Sequence, residues 1–321
     1  MQVRACVVLT VILLSPGSDA SAGEMAREWL DQMHTALDEQ TYVGTFVRIT
    51  ERGPETYRVA HRYVDGALNE RIISLNGVGR EIIRRDDDVH VIYPDLEVVR
   101  VEKVVASNPM VAALPGYSRQ LESNYELLEL KSELMAGREA QIISIRPRDD
   151  FRYGYLLWLD SETKMPLRSK SWDGDITVFE DIIFTMIEFP AGLPDSEFVQ
   201  TSDTNGFAVL QSSEPKQELA PEAPRAIDGV PAGFELTASM LKSMGDSQHP
   251  VHHMVYSDGL ASVSVFVDRP DAETDIAEGF YRVGSTNAFS LTTDNRKITA
   301  IGEVPPVTVE AIATALSLQR D

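Results

Sequence analysis

The spacing of hydrophobic positions changes twice along this chain. In residues 24–40 apolar side chains recur at every fourth position, which is the spacing of one face of a helix. This stripe consists of Met25, Trp29, Met33 and Leu37, with Ala26, Leu30 and Ala36 close by. From Thr41 the spacing becomes two, as in β-strands, and a helical spacing returns only in residues 307–319. The pattern therefore predicts a long run of strands between two helices.

The predicted strands are short and are separated by residues that favour turns, such as Gly53-Pro54 and Pro94-Asp95. In the first part of the chain they cover residues 41–50, 56–64, 70–75, 80–85, 89–93, 97–101, 125–130, 140–146, 153–160, 167–172 and 177–187. Many sequential strands after one helix indicate a large antiparallel sheet, curled against helical cover. We therefore expect an α+β fold.

A change of composition divides the chain into two domains. Residues 211–229 contain Pro215, Pro221 and Pro224 among Glu, Ala and Ser, without apolar periodicity, which predicts a linker partly stiffened by proline. Residues 23–210 then form the large domain and residues 230–321 a smaller α+β domain. The strands predicted in the small domain cover residues 255–267, 282–286, 288–292 and 297–302.

Residues 1–22 have the organisation of an export signal. Arg4 precedes a short apolar core, and Ala20-Ser21-Ala22 supplies the small residues of a cleavage site. We predict cleavage after Ala22, with cleavage after Ala20 as the alternative. Cys6, the single cysteine, leaves with the signal, so disulfides and thiol catalysis are excluded from the mature chain. These features predict a soluble exported protein of a bacterial periplasm.

Net charge and missing motifs exclude several classes of function. A net charge of −21 argues against a nucleic-acid-binding protein and against non-specific docking on an anionic membrane. Nucleotide-binding loops, the serine nucleophile elbow and the zinc-protease helix are all absent from the sequence. The cluster of His249, His252 and His253 is expected to lie in a polar surface loop. We therefore predict a protein that is not an enzyme and that needs no cofactor or metal.

The segment of residues 148–172 predicts a hairpin that is apolar on both faces, and such a hairpin needs cover on both sides. One side is expected to be ordinary core and the other the wall of a cavity in which acyl chains lodge. The predicted cavity residues lie on this hairpin and on other strands that are apolar on more than one face. They are Phe46, Tyr57, Leu156, Trp158, Phe179 and Phe184. The alternative is that each of them belongs to the core.

Arginines cluster on three consecutive strands of this acidic chain, and a shared face would form a local basic patch. Guanidinium groups there would bind an acidic peptide or a lipid phosphate. The candidates are Arg71, Arg80, Arg84, Arg85 and Arg100, although Arg84 and Arg85 are adjacent and cannot both lie on one face. The alternative is ion pairing with Glu70, Glu81 and Glu97 on neighbouring strands.

Several motifs carry a resemblance to known families. Trp158-Leu159-Asp160, a polar turn and Met165-Pro166-Leu167-Arg168 resemble the half-barrel of the LolA/LolB lipoprotein carriers. Three further motifs resemble a narrower family, the RseB/MucB regulators of periplasmic sigma-factor signalling. They are Gly44-Thr45-Phe46-Val47, Tyr256-Ser257-Asp258-Gly259-Leu260 and Gly302-Glu303-Val304-Pro305-Pro306.

The RseB/MucB resemblance implies a non-catalytic periplasmic protein that binds the periplasmic domain of a membrane-anchored, RseA/MucA-like anti-sigma factor. Binding would protect that domain from proteolysis, and lipid or lipopolysaccharide fragments in the large-domain cavity would release it. A homo-oligomer is compatible with this interpretation. The alternative is a lipid or lipoprotein carrier of the LolA/LolB type, against which the second domain argues because the simple carriers lack it. Since the chain is acidic, recognition of an anionic lipid would depend on the local arginine patch.

Overall fold

The computed structural model describes residues 18–86, 88–103, 114, 121–173, 177–211, 217–219, 227–242, 250–268, 278–293 and 296–318. Its helices are α1 (Ser18–Glu39), α2 (Leu121–Asn124) and α3 (Pro306–Ser317). The helices predicted at 24–40 and 307–319 are confirmed by α1 and α3. The first turn of α1 overlaps the predicted export signal, of which residues 1–17 lie outside the described part of the chain.

Thirteen strands form the sheet of the large domain. They are β1 (Tyr42–Thr50), β2 (Gly53–Val64), β3 (Ala67–Ser74), β4 (Glu81–Arg85), β5 (Asp88–Tyr93), β6 (Val98–Lys103), β7 (Tyr125–Glu129), β8 (Glu133–Met135), β9 (Arg138–Pro147), β10 (Gly154–Asp160), β11 (Pro166–Trp172), β12 (Val178–Glu188) and β13 (Ala208–Gln211). Their order is β13-β6-β5-β4-β3-β2-β1-β12-β11-β10-β9-β7, and β8 also pairs with β9. Its pairings are antiparallel except that of β13 with β6, which is parallel. The predicted α+β fold with a curled, open antiparallel sheet is confirmed.

Seven strands form the sheet of the small domain. They are β14 (Gln217–Leu219), β15 (Glu235–Lys242), β16 (Val251–Ser257), β17 (Ser262–Asp268), β18 (Gly279–Val283), β19 (Thr286–Thr293) and β20 (Arg296–Gly302), in the order β14-β15-β16-β17-β20-β19-β18. Helix α3 packs across β19 and β20. Its buried residues, including Val309, Ile312 and Leu316, join Val263, Val265 and Ala300 of the sheet in a separate core.

The pattern of the sequence missed four strands and misplaced two histidines. Strands β8, β13 and β14 have only three or four residues, too few for an alternation to stand out. Strand β15 does alternate polar and apolar residues from Glu235 to Met240, and this pattern was overlooked. Strand β14 lies inside the segment predicted as a linker, so the chain passes from one sheet to the other between Gln211 and Gln217. His252 and His253 lie on strand β16, where His253 is buried against Phe266, and the expected surface loop is wrong there.

Helix α1 covers one face of the large sheet, which we call the helix side. Its buried residues are Ala26, Leu30, Met33 and Leu37, whereas Met25 is 48% exposed. The predicted stripe at every fourth position drifts because four residues turn an α-helix by about 40° more than one full turn. The buried face therefore follows steps of three and four residues. It meets aromatic and aliphatic side chains of the sheet in one continuous core.

His61 joins the end of α1 to the sheet. Its ring stacks on Tyr42 at 4.9 Å, and its Nδ1–H donates to the carbonyl oxygen of Gln40, 2.8 Å away. Burial lowers the pKa of His61, although this hydrogen bond opposes the shift. The imidazole is therefore neutral at pH 7 in the folded protein.

We expect the free energy of unfolding to fall as the pH drops from 6.5 toward 5. Unfolded His61 takes up a proton below its ordinary pKa while the folded, buried ring resists it, so the unfolded state binds more protons in that window. The contribution of one histidine is at most about 1.4 kcal/mol per pH unit. His61→Asn keeps the N–H donor but cannot titrate. Urea unfolding between pH 5 and 7 should therefore show a shallower slope for this variant, and an unchanged slope would contradict this role.

Candidate functional site

The helix side of the large sheet carries the aromatic cluster that is the first part of the candidate site. Phe46 stacks on Tyr57 at 5.2 Å and meets Phe184 edge-on at 5.5 Å between ring centroids. The pairing of β1 with β2 and β12 places these residues opposite one another. All three are at most 3% exposed. Three of the six predicted cavity residues are thus brought together.

The other three predicted cavity residues lie elsewhere. Leu157 pairs across β10 and β11 with Ser169, which places it on the face of Ile182, the helix side. Its neighbours Leu156 and Trp158 point to the opposite face because side chains alternate along a strand. There the Trp158 indole donates to Glu133 at 3.0 Å, beneath the Arg168 guanidinium. Phe179 contacts Tyr153 and Arg282, the latter from the small domain. The role of these residues in binding lipid stays a prediction.

Strand register separates the candidate arginines into two groups. The pairing of Ile82 with Val91, and of Val91 with Arg100, places Arg84 and Arg100 on the helix side. Arg80 reaches the same side, since its guanidinium donates to the Tyr57 hydroxyl at 3.1 Å and lies over that ring. A basic group therefore sits directly beside the aromatic cluster.

Arg71 lies on the opposite face and forms a buried ion pair. Its Nε donates to Glu81 at 2.7 Å, and both side chains are more than 90% buried. Glu81 also accepts the backbone N–H and hydroxyl of Thr201. For Arg71 the structure thus shows the ion pair that the sequence left open as the alternative.

The second part of the candidate site is the contact between the two domains, which is centred on Asp258. This carboxylate is fully buried, and one of its oxygens accepts the Arg152 Nε at 2.6 Å and the Tyr125 hydroxyl at 3.0 Å. Its other oxygen accepts the backbone N–H groups of Leu260 and Ala261 within its own turn. Burial and the Asp258 charge raise the pKa of Tyr125, so its hydroxyl keeps the proton that it donates.

Arg152 of the large domain donates hydrogen bonds to residues of both domains. Its side chain is 0% exposed. Its remaining nitrogens donate to Asp149 of the large domain and to the carbonyl oxygen of Ala232 in the small domain. The guanidinium also lies over the rings of Tyr125 and Phe234, 5.9 and 4.9 Å from their centroids. Arg152 and Asp258 are thus both paired and hydrogen-bonded in the docked arrangement of the domains.

Each domain also inserts an apolar side chain into the core of the other. Phe151 packs against the small-domain core, and Leu260 packs against the large-domain core. Two hydrogen bonds flank these insertions: Asn287 donates to the Tyr153 hydroxyl at 2.9 Å, and the Thr308 hydroxyl donates to the Phe151 carbonyl at 2.8 Å.

Beside the contact, a cavity of about 210 Å³ opens between the domains. Its wall includes Tyr155, Leu260 and two carboxylates, Glu180 and Glu303. Burial raises the pKa of Glu180, although the Arg48 guanidinium at 2.5 Å opposes this shift. A second cleft of about 480 Å³ lies nearby between Lys170, Phe179 and Arg282.

Sequence reasoning did not identify the residues of the domain contact as a site. Arg152 lies within the hairpin segment of residues 148–172, and Asp258 lies within one of the quoted family motifs. Nothing in these two segments indicates that Arg152 and Asp258 meet. Within the described residues, no helix is long and apolar enough to cross a membrane, and no three His, Cys, Asp or Glu side chains are grouped to hold a metal.

Two family models match this chain, one for each domain. The model of the MucB/RseB N-terminal domain matches residues 25–202, and that of the MucB/RseB C-terminal domain matches residues 221–317. The Sigma-E factor regulatory protein RseB of Salmonella typhimurium is 27% identical over 94% of this chain and 93% of its own length. The sigma factor AlgU regulatory protein MucB of Pseudomonas aeruginosa is 28% identical, with 96% of each chain covered.

Solved structures agree with these matches. The complex structure of Pseudomonas aeruginosa MucA/MucB includes a chain with a TM-score of 0.69 and 28% identity, covering 90% of this chain and 97% of that one. A structure of MucB in complex with MucA(peri) also gives 0.69, at 27% identity and the same coverage. A structure described as MucB gives 0.59 at 27% identity, covering 91% and 97%. The similarity therefore extends over both domains.

Proposed function

This chain belongs to the MucB/RseB family, and on that premise we propose that it is a periplasmic, non-enzymatic regulator that binds the periplasmic domain of a membrane-anchored anti-sigma factor. The observation that carries the proposal is the match of both domains, in order, to proteins described as sigma-factor regulators, one of which is solved with MucA. Binding shields the anti-sigma factor from proteolysis and so keeps an envelope-stress sigma factor inactive. The predicted export signal supplies the route to the periplasm.

We further propose that a lipid or lipopolysaccharide fragment binds on the helix side of the large domain and weakens this complex. The aromatic cluster of Phe46, Tyr57 and Phe184 supplies apolar surface, and Arg80, Arg84 and Arg100 lie on the same face. An acyl chain and an anionic headgroup therefore have neighbouring partners of suitable chemistry. The net charge of −21 makes this local patch necessary, because the overall field repels anions.

Capture of the partner tests the proposal. Immobilised mature protein, residues 23–321, should bind the periplasmic segment of the anti-sigma factor from the same organism and slow its digestion by a periplasmic protease; no detectable binding would refute the proposed function.

Lipopolysaccharide should release the segment, less so at high salt. The double variant Arg84→Ala/Arg100→Ala should resist this release. Arg85→Ala is the matched control, since Arg85 adjoins Arg84 but points to the opposite face, and it should behave as the wild type.

A further inference from the structure

The turn at residues 257–261 connects the small domain to the aromatic core of the large one. Leu260 at its tip packs against that core, and Asp258 accepts the hydroxyl of Tyr125. Tyr125 is itself a fully buried member of the same core, on strand β7, which contacts helix α1. Two side chains of the core, one from each domain, are thus bound into the domain contact.

The aromatic cluster in this core leaves no empty space for a ligand. Phe46, Tyr57 and Phe184 contact one another and are at most 3% exposed. Interiors are close-packed, so an acyl chain that enters the helix side has to displace side chains rather than fill empty space. Leu260 packs against this core from the small domain, so it can leave by undocking of the turn without disrupting a strand of the large sheet.

Undocking of the turn has a large consequence for the charges beneath it. Asp258 and Arg152 are both fully buried, and their ion pair forms only while the turn is docked. A shift of the turn that lengthens the Asp258–Arg152 contact leaves the buried Asp258 without a cationic partner, and Arg152 keeps only Asp149 of its own domain, unless the domains separate and water enters. Intermediate positions of the turn are therefore disfavoured, and we expect the domains to be either docked or separated.

We propose that the 257–261 turn couples the two ligands of this protein: an acyl chain on the helix side displaces Leu260 and Tyr125, releases Asp258 and so separates the domains. This inference rests on the proposed function and specifies its regulation. The coupling is reciprocal. A partner that requires the docked arrangement lowers the affinity for lipid, and lipid lowers the affinity for that partner to the same extent.

The test uses spin labels on both domains of the mature chain. Since Cys6 lies in the predicted signal, Lys131→Cys and Glu310→Cys, both at exposed positions, provide the two labels. Lauroyl lysophosphatidylglycerol should shift the inter-label distance measured by double electron–electron resonance and lower the affinity for the anti-sigma segment about tenfold. In Tyr125→Phe, which keeps the ring but loses the hydroxyl, both lipid effects should largely disappear. Leu260→Ala should weaken them in the same way.

Tyr153→Phe is the matched control. It also removes one phenol from a hydrogen bond between the domains, but Tyr153 lies outside the aromatic core. The proposal requires this variant to keep the wild-type response to lipid. Equal responses of Tyr125→Phe and Tyr153→Phe, or an unchanged distance in the wild type with lipid, would overturn the coupling. Binding of the anti-sigma segment without lipid is measured separately. If the segment binds but lipid has no effect, the coupling is refuted and the proposed function stands; if the segment does not bind at all, the proposed function is refuted.

Discussion

Asp258→Ala is expected to lower the free energy of unfolding by about 3–5 kcal/mol and to separate the two domains. The carboxylate is fully buried and pairs with Arg152, whose side chain is 0% exposed. Without it, the guanidinium keeps the burial but loses its charged partner from the small domain, and the turn loses the acceptor of two backbone N–H groups. Urea unfolding should then show two separate transitions, one per domain, where the wild type shows more cooperative unfolding.

Three variants separate the contributions to this loss. Asp258→Asn keeps an oxygen for the turn but removes the charge, so it isolates the ion pair. Arg152→Met/Asp258→Leu replaces both charges with apolar side chains, so it should recover the part of the loss that comes from the unpaired guanidinium but not the part that comes from the turn's backbone N–H groups. Asp195→Ala removes a carboxylate that pairs with Arg62 but is 92% exposed, and its cost should stay below about 1 kcal/mol. A similar small cost for Asp258→Ala would show that the domain contact contributes little.

The sequence predicted the elements of the large domain well because its strands alternate. Where apolar and polar residues alternate, as from Asp88 to Val91 in β5, alternation also predicts the buried face. In β10 it does not, because residues 155–159 are apolar at every position. Choosing between Leu157 and Trp158 for the helix side required the register with β11 and β12, which depends on contacts distant in sequence.

Strand register also decides which candidate arginines share a face. Alternation within β4 separates Arg84 from Arg85, as the sequence implies. Whether Arg71 on β3 shares the face of Arg84 depends on the turn between the strands, and the observed pairing places Glu70 beside Arg84 instead. The parallel pairing of β13 with β6 was equally inaccessible, since it joins segments about a hundred residues apart without a hairpin.

No periodic pattern in the sequence predicts the contact between the domains. Arg152 and Asp258 are 106 positions apart, and both lie in turns, where side-chain direction follows local geometry. A sequence pattern shows that a turn forms at Asp258 but not that its carboxylate faces a guanidinium of another domain. Only the packing of two complete cores brings these groups together. The structure therefore explains what the Asp258 motif does: it joins the two domains.

Phe46→Ala is expected to lower the free energy of unfolding of the large domain by about 3–5 kcal/mol, because it removes an aromatic ring that is 0% exposed and leaves a cavity. The loss includes its contacts with Tyr57 and Phe184. Phe280→Ala is the control: Phe280 is 53% exposed and its ring contacts that of Phe289, so its cost should stay below about 1.5 kcal/mol.

The same variant distinguishes a binding site from plain core. An apolar cavity stays dry and takes up apolar ligands, which stabilise the folded state in proportion to their occupancy. If acyl chains reach the helix side, lauroyl lysophosphatidylglycerol should raise the melting temperature of Phe46→Ala more than that of the wild type, because the ligand no longer has to displace the ring. Calorimetry of both proteins with and without the lipid measures this difference. If the lipid fails to restore stability to Phe46→Ala while Phe280→Ala behaves as the wild type, the cluster is structural core and the lipid binds elsewhere.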